Sequence, residues 1–127
     1  MEGRDRPTDS TRAKASLRSS FSSDPEMREL VDFFIDDLAR RVAAISSALD
    51  ALDRRRLRVL AHQLYGSAEG YGFRPIGEAA RILEEEICAN QLDDGLAEEV
   101  ALSVLREKTE DLLTVCRRAI PTPDELP

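Results

Sequence analysis

A chain of 127 residues is long enough for one small domain with a hydrophobic core, and its net charge is −7 at pH 7. This charge argues against nucleic acid as the main ligand, because a phosphate backbone requires a strongly basic face. The 34% charged and 5% aromatic residues, with no tryptophan, favour helices over strands. No apolar run approaches the roughly 18 residues of a membrane span, and the first residues lack the apolar segment of a secretory signal, so we expect a cytoplasmic protein.

The first 23 residues are polar, and we expect residues 1–23 to form a flexible arm. Folded structure is predicted to start at Asp24, which can cap a helix whose first turn contains Pro25. Apolar residues at spacings of three and four predict that this helix continues to about Leu49. The apolar cluster at 30–35 indicates a short additional N-terminal helix, or a bend that covers one end of a bundle.

Three further helices follow. Asp53 is expected to cap the second, which ends near Glu69, and Phe73 is expected to insert into the core after it. The third begins at Pro75, residues 90–95 form a turn, and the fourth ends near Ala119. Short connections between helices of similar length imply antiparallel neighbours.

These elements predict an all-α fold, an antiparallel up-and-down four-helix bundle with an additional short N-terminal helix. The bundle is expected to span residues 24–120 and to be followed by a short polar tail, residues 121–127. Cys88 and Cys116 match no metal-binding pattern, and we expect two buried free thiols rather than a disulfide.

His62 is the only histidine, and it lies about 140° from the centre of the apolar stripe of its predicted helix. We therefore expect it to face water or a partner, where a neutral imidazole nitrogen can act as a nucleophile. Gly66 lies one turn later on nearly the same face, although a glycine in mid-helix costs about 1 kcal/mol relative to alanine. Close approach of another molecule to the imidazole would explain this glycine.

The pattern His-x-Leu-x-Gly-Ser-Ala-x-x-Tyr-Gly-Phe, which starts at His62 and precedes a Pro-initiated amphipathic helix, resembles the histidine-containing phosphotransfer (HPt) domain. The likeness covers residues 25–119 in helix order and length. It implies a four-helix bundle that carries a phosphoryl group on His62 and exchanges it with an aspartate of a receiver domain. It also implies response-regulator receivers and a hybrid histidine kinase as partners. The chain would have no cofactor of its own, and Mg²⁺ would be supplied by the partner receiver.

Glu84 lies about 80° from the centre of the next apolar stripe, at the edge of the buried seam. If its helix packs on that of His62, Glu84 can accept a hydrogen bond from one ring N–H and fix the tautomer. The alternative is a solvated acid within the run Glu84–Glu86. Arg81, one turn earlier, either donates to phosphoryl oxygens or forms a surface salt bridge with Glu84 or Glu85.

Arg55 and Arg58 precede His62 by seven and four residues and share its face. We expect them to attract a receiver domain, which presents an acidic magnesium-binding pocket. The alternative is a helix N-terminus that happens to be basic, which the helix dipole disfavours. Val59 is expected to belong to the same docking patch, although single exposed valines are common.

One position departs from the family pattern. The family usually has a lysine three residues after the histidine, where this chain has Tyr65. A phenol can donate one hydrogen bond but brings no positive charge. Either Arg58 or Arg81 compensates, or phosphorylation is slower or less stable, or the domain binds receivers without transfer.

The leading hypothesis is a phosphocarrier in a multistep His–Asp relay, with no ATP site and therefore not an enzyme in the strict sense. Because the chain starts at Met1 with its own arm, we expect a stand-alone carrier, with a fragment of a hybrid kinase as the alternative. We also expect a monomer. The competing hypothesis is a helical adaptor that binds a receiver or another signalling protein without transfer. A di-metal or hydrolase bundle is disfavoured, because one histidine without a Glu-x-x-His pair does not build a usual di-metal site.

Overall fold

The computed structural model describes residues 17–90 and 98–121. Within these ranges the chain forms no strand and four helices, namely α1 (Pro25–Asp50), α2 (Arg54–Gly70), α3 (Arg74–Asn90) and α4 (Glu98–Ala119). The all-α prediction is confirmed for this part of the chain. Residues 91–95 of the predicted turn and residues 122–127 of the predicted tail lie outside the described ranges.

The four helices pack in a ring. α1 contacts α2 and α4, and α3 contacts the same two helices. Residues 51–53 and 71–73 are the only connections between α1, α2 and α3, and links this short require antiparallel neighbours. The core is mainly aliphatic, and each helix contributes one face to it. None of the helices described here is long and apolar enough to cross a membrane.

Two aspartates cap helices, as the sequence predicts. The Glu26 N–H donates to Oδ1 of Asp24 at 2.9 Å, at the start of α1. The Arg56 N–H donates to Oδ1 of Asp53 at 3.1 Å, at the start of α2. Each side chain satisfies one of the amides that lack an intrahelical partner.

α2 ends in a Schellman motif. The Phe73 N–H donates to the Ala68 carbonyl at 2.9 Å, and the Gly72 N–H donates to the Glu69 carbonyl at 3.3 Å. The motif requires one left-handed residue, and Gly72 supplies it with φ 85°. Leu52, with φ 54°, has the corresponding position after α1. In each case the left-handed residue reverses the chain, and the next helix starts after a connection of only three residues.

Phe73 inserts into the core, as predicted, and is fully buried. Its ring stacks on Phe34 of α1 with a centroid distance of 5.3 Å. Phe34 also stacks on Tyr71, with 5.2 Å between the centroids. This aromatic cluster packs the N-terminal half of α1 against the turn that follows α2.

The additional short N-terminal helix is not confirmed. Residues 30–35 belong to the uninterrupted helix α1, in which Val31 and Phe34 are buried. Leu30 and Phe33 are instead 47% and 65% exposed. Only Val31 and Phe34 of the apolar cluster are therefore buried, because residues three apart share a face of a helix and adjacent residues point about 100° apart.

Residues 17–23, here called the N-terminal strap, lie against the end of the bundle. The prediction that the flexible arm extends to residue 23 is corrected for these seven residues. The Leu17 N–H donates to the Arg118 carbonyl at 2.9 Å, after which the Ser20 N–H donates to the Gly72 carbonyl at 2.8 Å. The strap thus joins the end of α4 to the turn after α2. Residues 1–16 of the predicted arm lie outside the described part of the chain.

Ser19 is the buried anchor of the strap. Its Oγ donates to the Tyr71 carbonyl at 2.6 Å and accepts from the Phe21 N–H at 2.9 Å. A Cβ at Gly72 would overlap this hydroxyl oxygen. Leu17 and Phe21 of the strap also pack against the core. The polar composition of the arm concealed this packing, because the hydrogen bonds use backbone groups and a single serine hydroxyl.

Both cysteines are free, but only one is buried. Cys116 lies in the core, and burial raises the pKa of its thiol to about 12. Cys88 is exposed, which corrects the expectation of two buried thiols.

Candidate functional site

His62 lies on the outer face of α2. The inner face of this helix is buried through Leu57, Ala61, Leu64 and Ala68. The spacing of those four residues turns position 62 away from the core, and the histidine side chain is 69% exposed. The imidazole is therefore open to solvent over most of its surface.

Glu84 of α3 holds one edge of this imidazole. Nδ1 of His62 lies 3.1 Å from Oε2 and 3.2 Å from Oε1 of Glu84. The Glu84 side chain is 21% exposed, because its neighbour Leu83 faces the core and leaves it at the α2–α3 seam. An ionised carboxylate only accepts hydrogen bonds, so this contact favours the tautomer in which Nδ1 carries the proton.

Nε2 is then the nitrogen with the free lone pair. It has no hydrogen-bond partner among the residues that the structure describes. A fixed ring that presents an unprotonated nitrogen to solvent can act as a nucleophile toward a group brought by another molecule.

Gly66 lies one turn after His62 and is exposed. A Cβ built at this position would meet no atom within 4 Å. Packing inside the domain therefore gives no reason for a glycine here, in contrast to Gly72, whose Cβ would contact the strap. The surface beside the imidazole is open to a second molecule.

α2 and α3 also approach closely two turns away from the His62–Glu84 contact. Gly77 of α3 is buried, and a Cβ there would lie 2.8 Å from Oε2 of Glu69 on α2. Glu69 follows His62 by seven residues and Gly77 precedes Glu84 by seven, so the two contacts lie on the same faces of the two helices. Sequence analysis missed this pair, for which the only signal was the glycine itself.

Arg81 is held by two carboxylates of its own helix. Its Nη1 donates to Glu85 at 2.6 Å and its Nη2 donates to Glu78. The hydrogen bond from Arg81 lowers the pKa of Glu78, and the same contacts raise the pKa of the guanidinium. Of the salt-bridge partners considered from the sequence, Glu85 is present and Glu84 is not. Glu78 was missed, although its spacing of three residues before Arg81 is typical of such pairs.

A family model described as Hpt domain matches residues 29–119, well over half of the chain. The chain belongs to the Hpt domain family. The resemblance inferred from the histidine motif is thereby confirmed. Searches of curated proteins and of solved structures gave no match. Hpt domains transfer phosphoryl groups on histidine in phosphorelays, as carriers rather than as enzymes, and they interact with receiver domains and kinases.

Tyr65 occupies the position of the usual lysine in this Hpt domain. Its side chain is half-buried and packs against the hydrophobic core. No described residue forms a hydrogen bond with its hydroxyl. The position next to the phosphoacceptor candidate thus contributes packing and no positive charge.

The predicted docking residues of this Hpt domain are exposed. Arg55 and Arg58 lie on the solvent side of α2 and have no ion pair within residues 17–90 and 98–121. Val59 is 46% exposed. Their roles toward a partner stay predictions. The same ranges hold no cluster of three or more side chains suited to bind a metal ion.

Proposed function

We propose that this Hpt domain is a histidine phosphocarrier in a two-component His–Asp phosphorelay. It accepts a phosphoryl group on His62 from a receiver-domain aspartate and passes it to another receiver. The observation that carries this proposal is the exposed imidazole whose Nδ1 lies 3.1 Å from Glu84. The family establishes the class of chemistry, and this geometry supports His62 as the residue that performs it.

In the accepting step, Nε2 of His62 attacks the phosphorus of an aspartyl phosphate. The Nε2–P bond forms as the P–O bond to the aspartate breaks, and the aspartate leaves as a carboxylate. The imidazole keeps its Nδ1 proton and becomes a phosphorylated imidazolium. Glu84, on the far side of the ring, offsets this new positive charge, as a carboxylate does in a hydrolytic triad. The donating step is the reverse.

In this proposal the domain itself supplies neither ATP nor a metal ion to the reaction. Mg²⁺ would be supplied by the acidic pocket of the receiver, where it would offset the charge of the transferring group. The carrier contributes the nucleophile, its orientation and a surface on which the receiver can dock. Phosphoryl transfer depends largely on such positioning and electrostatics.

The docking surface lies around His62 on the outer face of α2. Gly66 leaves room for the receiver, Val59 offers an apolar contact, and Arg55 and Arg58 attract its acidic pocket. A receiver and a hybrid histidine kinase are the proposed partners of a cytoplasmic, monomeric carrier. Steered association of this kind weakens as salt screens the charges.

The second candidate is an adaptor that binds a receiver or another signalling protein without transfer. Tyr65 favours it, because the position three residues after His62 lacks the usual cation. Incubation with phosphorylated receivers separates the two. Acid-labile, base-stable label on the domain supports the carrier. A chain that binds receivers but stays unlabelled with each of them supports the adaptor.

A further inference from the structure

We propose that Arg58 contacts the phosphoryl group carried by His62 and supplies the cation that Tyr65 does not. This inference rests on the proposed function and assigns one more residue to the same site. It follows from the charges on α3 beside the imidazole and from the position of Arg58 on α2.

Residues 78–85 of α3 hold three acids and a single cation, Arg81. Glu84 contacts Nδ1 of His62 directly. Around Arg81, two carboxylates flank one guanidinium, which leaves an excess of one negative charge. A phosphoryl group on Nε2 would add further negative charge to this surface. Without a cation, repulsion would disfavour both transfer and the phosphorylated state.

Arg81 is a poor source of that cation. Both of its terminal nitrogens are engaged by carboxylates, Nη1 by Glu85 at 2.6 Å and Nη2 by Glu78. Turning the guanidinium toward a phosphoryl group would break these charge-assisted bonds, which are stronger than neutral ones. Two arginines could compensate for the missing charge at Tyr65, namely Arg58 and Arg81. The ion pairs of Arg81 argue against Arg81 and leave Arg58.

Arg58 is free to act. It lies one turn before His62 on the same face, where side-chain Cβ atoms are about 5–6 Å apart. The arginine is exposed and forms no ion pair in the described part of the chain. Its planar guanidinium can bind two phosphoryl oxygens at once.

The test uses phosphoramidate, a small phosphodonor, on the full chain without any receiver. Nε2 of His62 forms a bond to phosphorus as the P–N bond of the donor breaks, and the donor nitrogen leaves as ammonia. Initial labelling rates are compared at about pH 8.5, where an ordinary imidazole is neutral. Because no partner is present, a role of Arg58 in docking alone cannot change these rates.

We expect Arg58→Gln to label about two- to fivefold more slowly than wild type, the range of one exposed ion pair. Arg56→Gln is the matched control, since it removes the same charge from the same helix at another face. Adding Tyr65→Lys to Arg58→Gln should restore the rate. Both variants lose the same charge from α2, so slower labelling by Arg58→Gln than by Arg56→Gln reports a contact with the phosphoryl group.

Equal rates for wild type and Arg58→Gln, or equal slowing by Arg58→Gln and Arg56→Gln, would overturn the role of Arg58. A parallel incubation with phosphorylated receivers keeps this result apart from the proposed function. If phosphoramidate labels the domain but no receiver exchanges phosphoryl groups with it, the proposed relay function is contradicted. The comparison of Arg58→Gln with wild type is still valid in that case. A wild-type chain that phosphoramidate does not label would contradict both.

Discussion

Nδ1 of His62 and Oε2 of Glu84 lie 3.1 Å apart, although 22 residues separate them in the chain. The contact exists because α2 and α3 are antiparallel and the turn between them is only three residues long. The imidazole is 69% exposed and yet has a fixed hydrogen-bond partner. A nucleophile that is both accessible and oriented is what transfer to a second protein requires.

Loss of the Glu84 carboxylate should slow phosphoryl transfer. We expect Glu84→Ala to reduce the rate by about 10- to 100-fold, the usual effect of removing a group that orients a reactive histidine. The transfer rate of Glu84→Gln should lie between those of wild type and Glu84→Ala. Its amide oxygen can still accept a hydrogen bond from Nδ1–H, but it does not offset the imidazolium charge. ¹⁵N NMR reports the tautomer without ambiguity, because the chain has one histidine. An unchanged tautomer and rate in Glu84→Ala would show that the contact is incidental.

Gly66→Ala should make the domain more stable and the transfer slower. The added methyl group meets no atom within 4 Å, so the helix gains about 0.5–1 kcal/mol in free energy of unfolding. The same methyl group intrudes on the surface where a receiver docks, and Gly66→Leu should block docking by the several kcal/mol typical of overpacking. Thermal unfolding and receiver titration measure the two effects.

Gly70→Ala is the control for this pair of effects, because a Cβ there also meets open space. It lies one turn further from His62 and should leave transfer unchanged. Transfer by Gly66→Leu at the wild-type rate would refute the close-approach explanation of this glycine.

Ser19→Ala should destabilise the fold. Its hydroxyl is the donor to the Tyr71 carbonyl and the acceptor for the Phe21 N–H. Leaving these groups unpaired costs about 1–3 kcal/mol, measurable by denaturant unfolding. Ser23→Ala in the exposed part of the strap is the control and should be neutral. If both variants unfold at the wild-type midpoint, the Ser19 hydroxyl does not contribute to stability.

The two cysteines should differ sharply toward alkylating reagents. Cys88 is exposed, whereas Cys116 is fully buried and its pKa is raised to about 12 by burial. Since the thiolate is the reactive form, iodoacetamide near pH 8 should add one label to the native protein and two after denaturation. Intact-mass spectrometry counts the labels. Rapid addition of two labels to the folded chain would contradict the packing of α4.

The sequence was sufficient for the helical elements and for the face on which His62 lies. Helix starts at Asp24 and Asp53 are local features, since each depends on one capping side chain and the residues just after it. The orientation of His62 follows from the 3.6-residue period alone. Phe73 was predictable as a core residue because two glycines nearby end the helix before it.

The predictions that the structure corrects concern features that depend on tertiary contacts. The strap binds through backbone groups, through Ser19 and through two apolar side chains that pack against the core. Two apolar residues in a polar arm form no repeat that would predict this packing. Leu30 and Phe33 fit a helical repeat as well as Val31 and Phe34 do, and only packing decides which pair is buried. For Arg81, the choice among several neighbouring acids depended on side-chain geometry.

The most direct measurement of the central claim is the location of the phosphoryl group after incubation with a phosphorylated receiver. Mass spectrometry under basic conditions should place phosphohistidine at position 62, and addition of a second receiver should remove it. His62→Gln should keep wild-type helicity by circular dichroism and carry no acid-labile phosphate. Label retained by His62→Gln, or phosphate found at any other residue, would contradict the account.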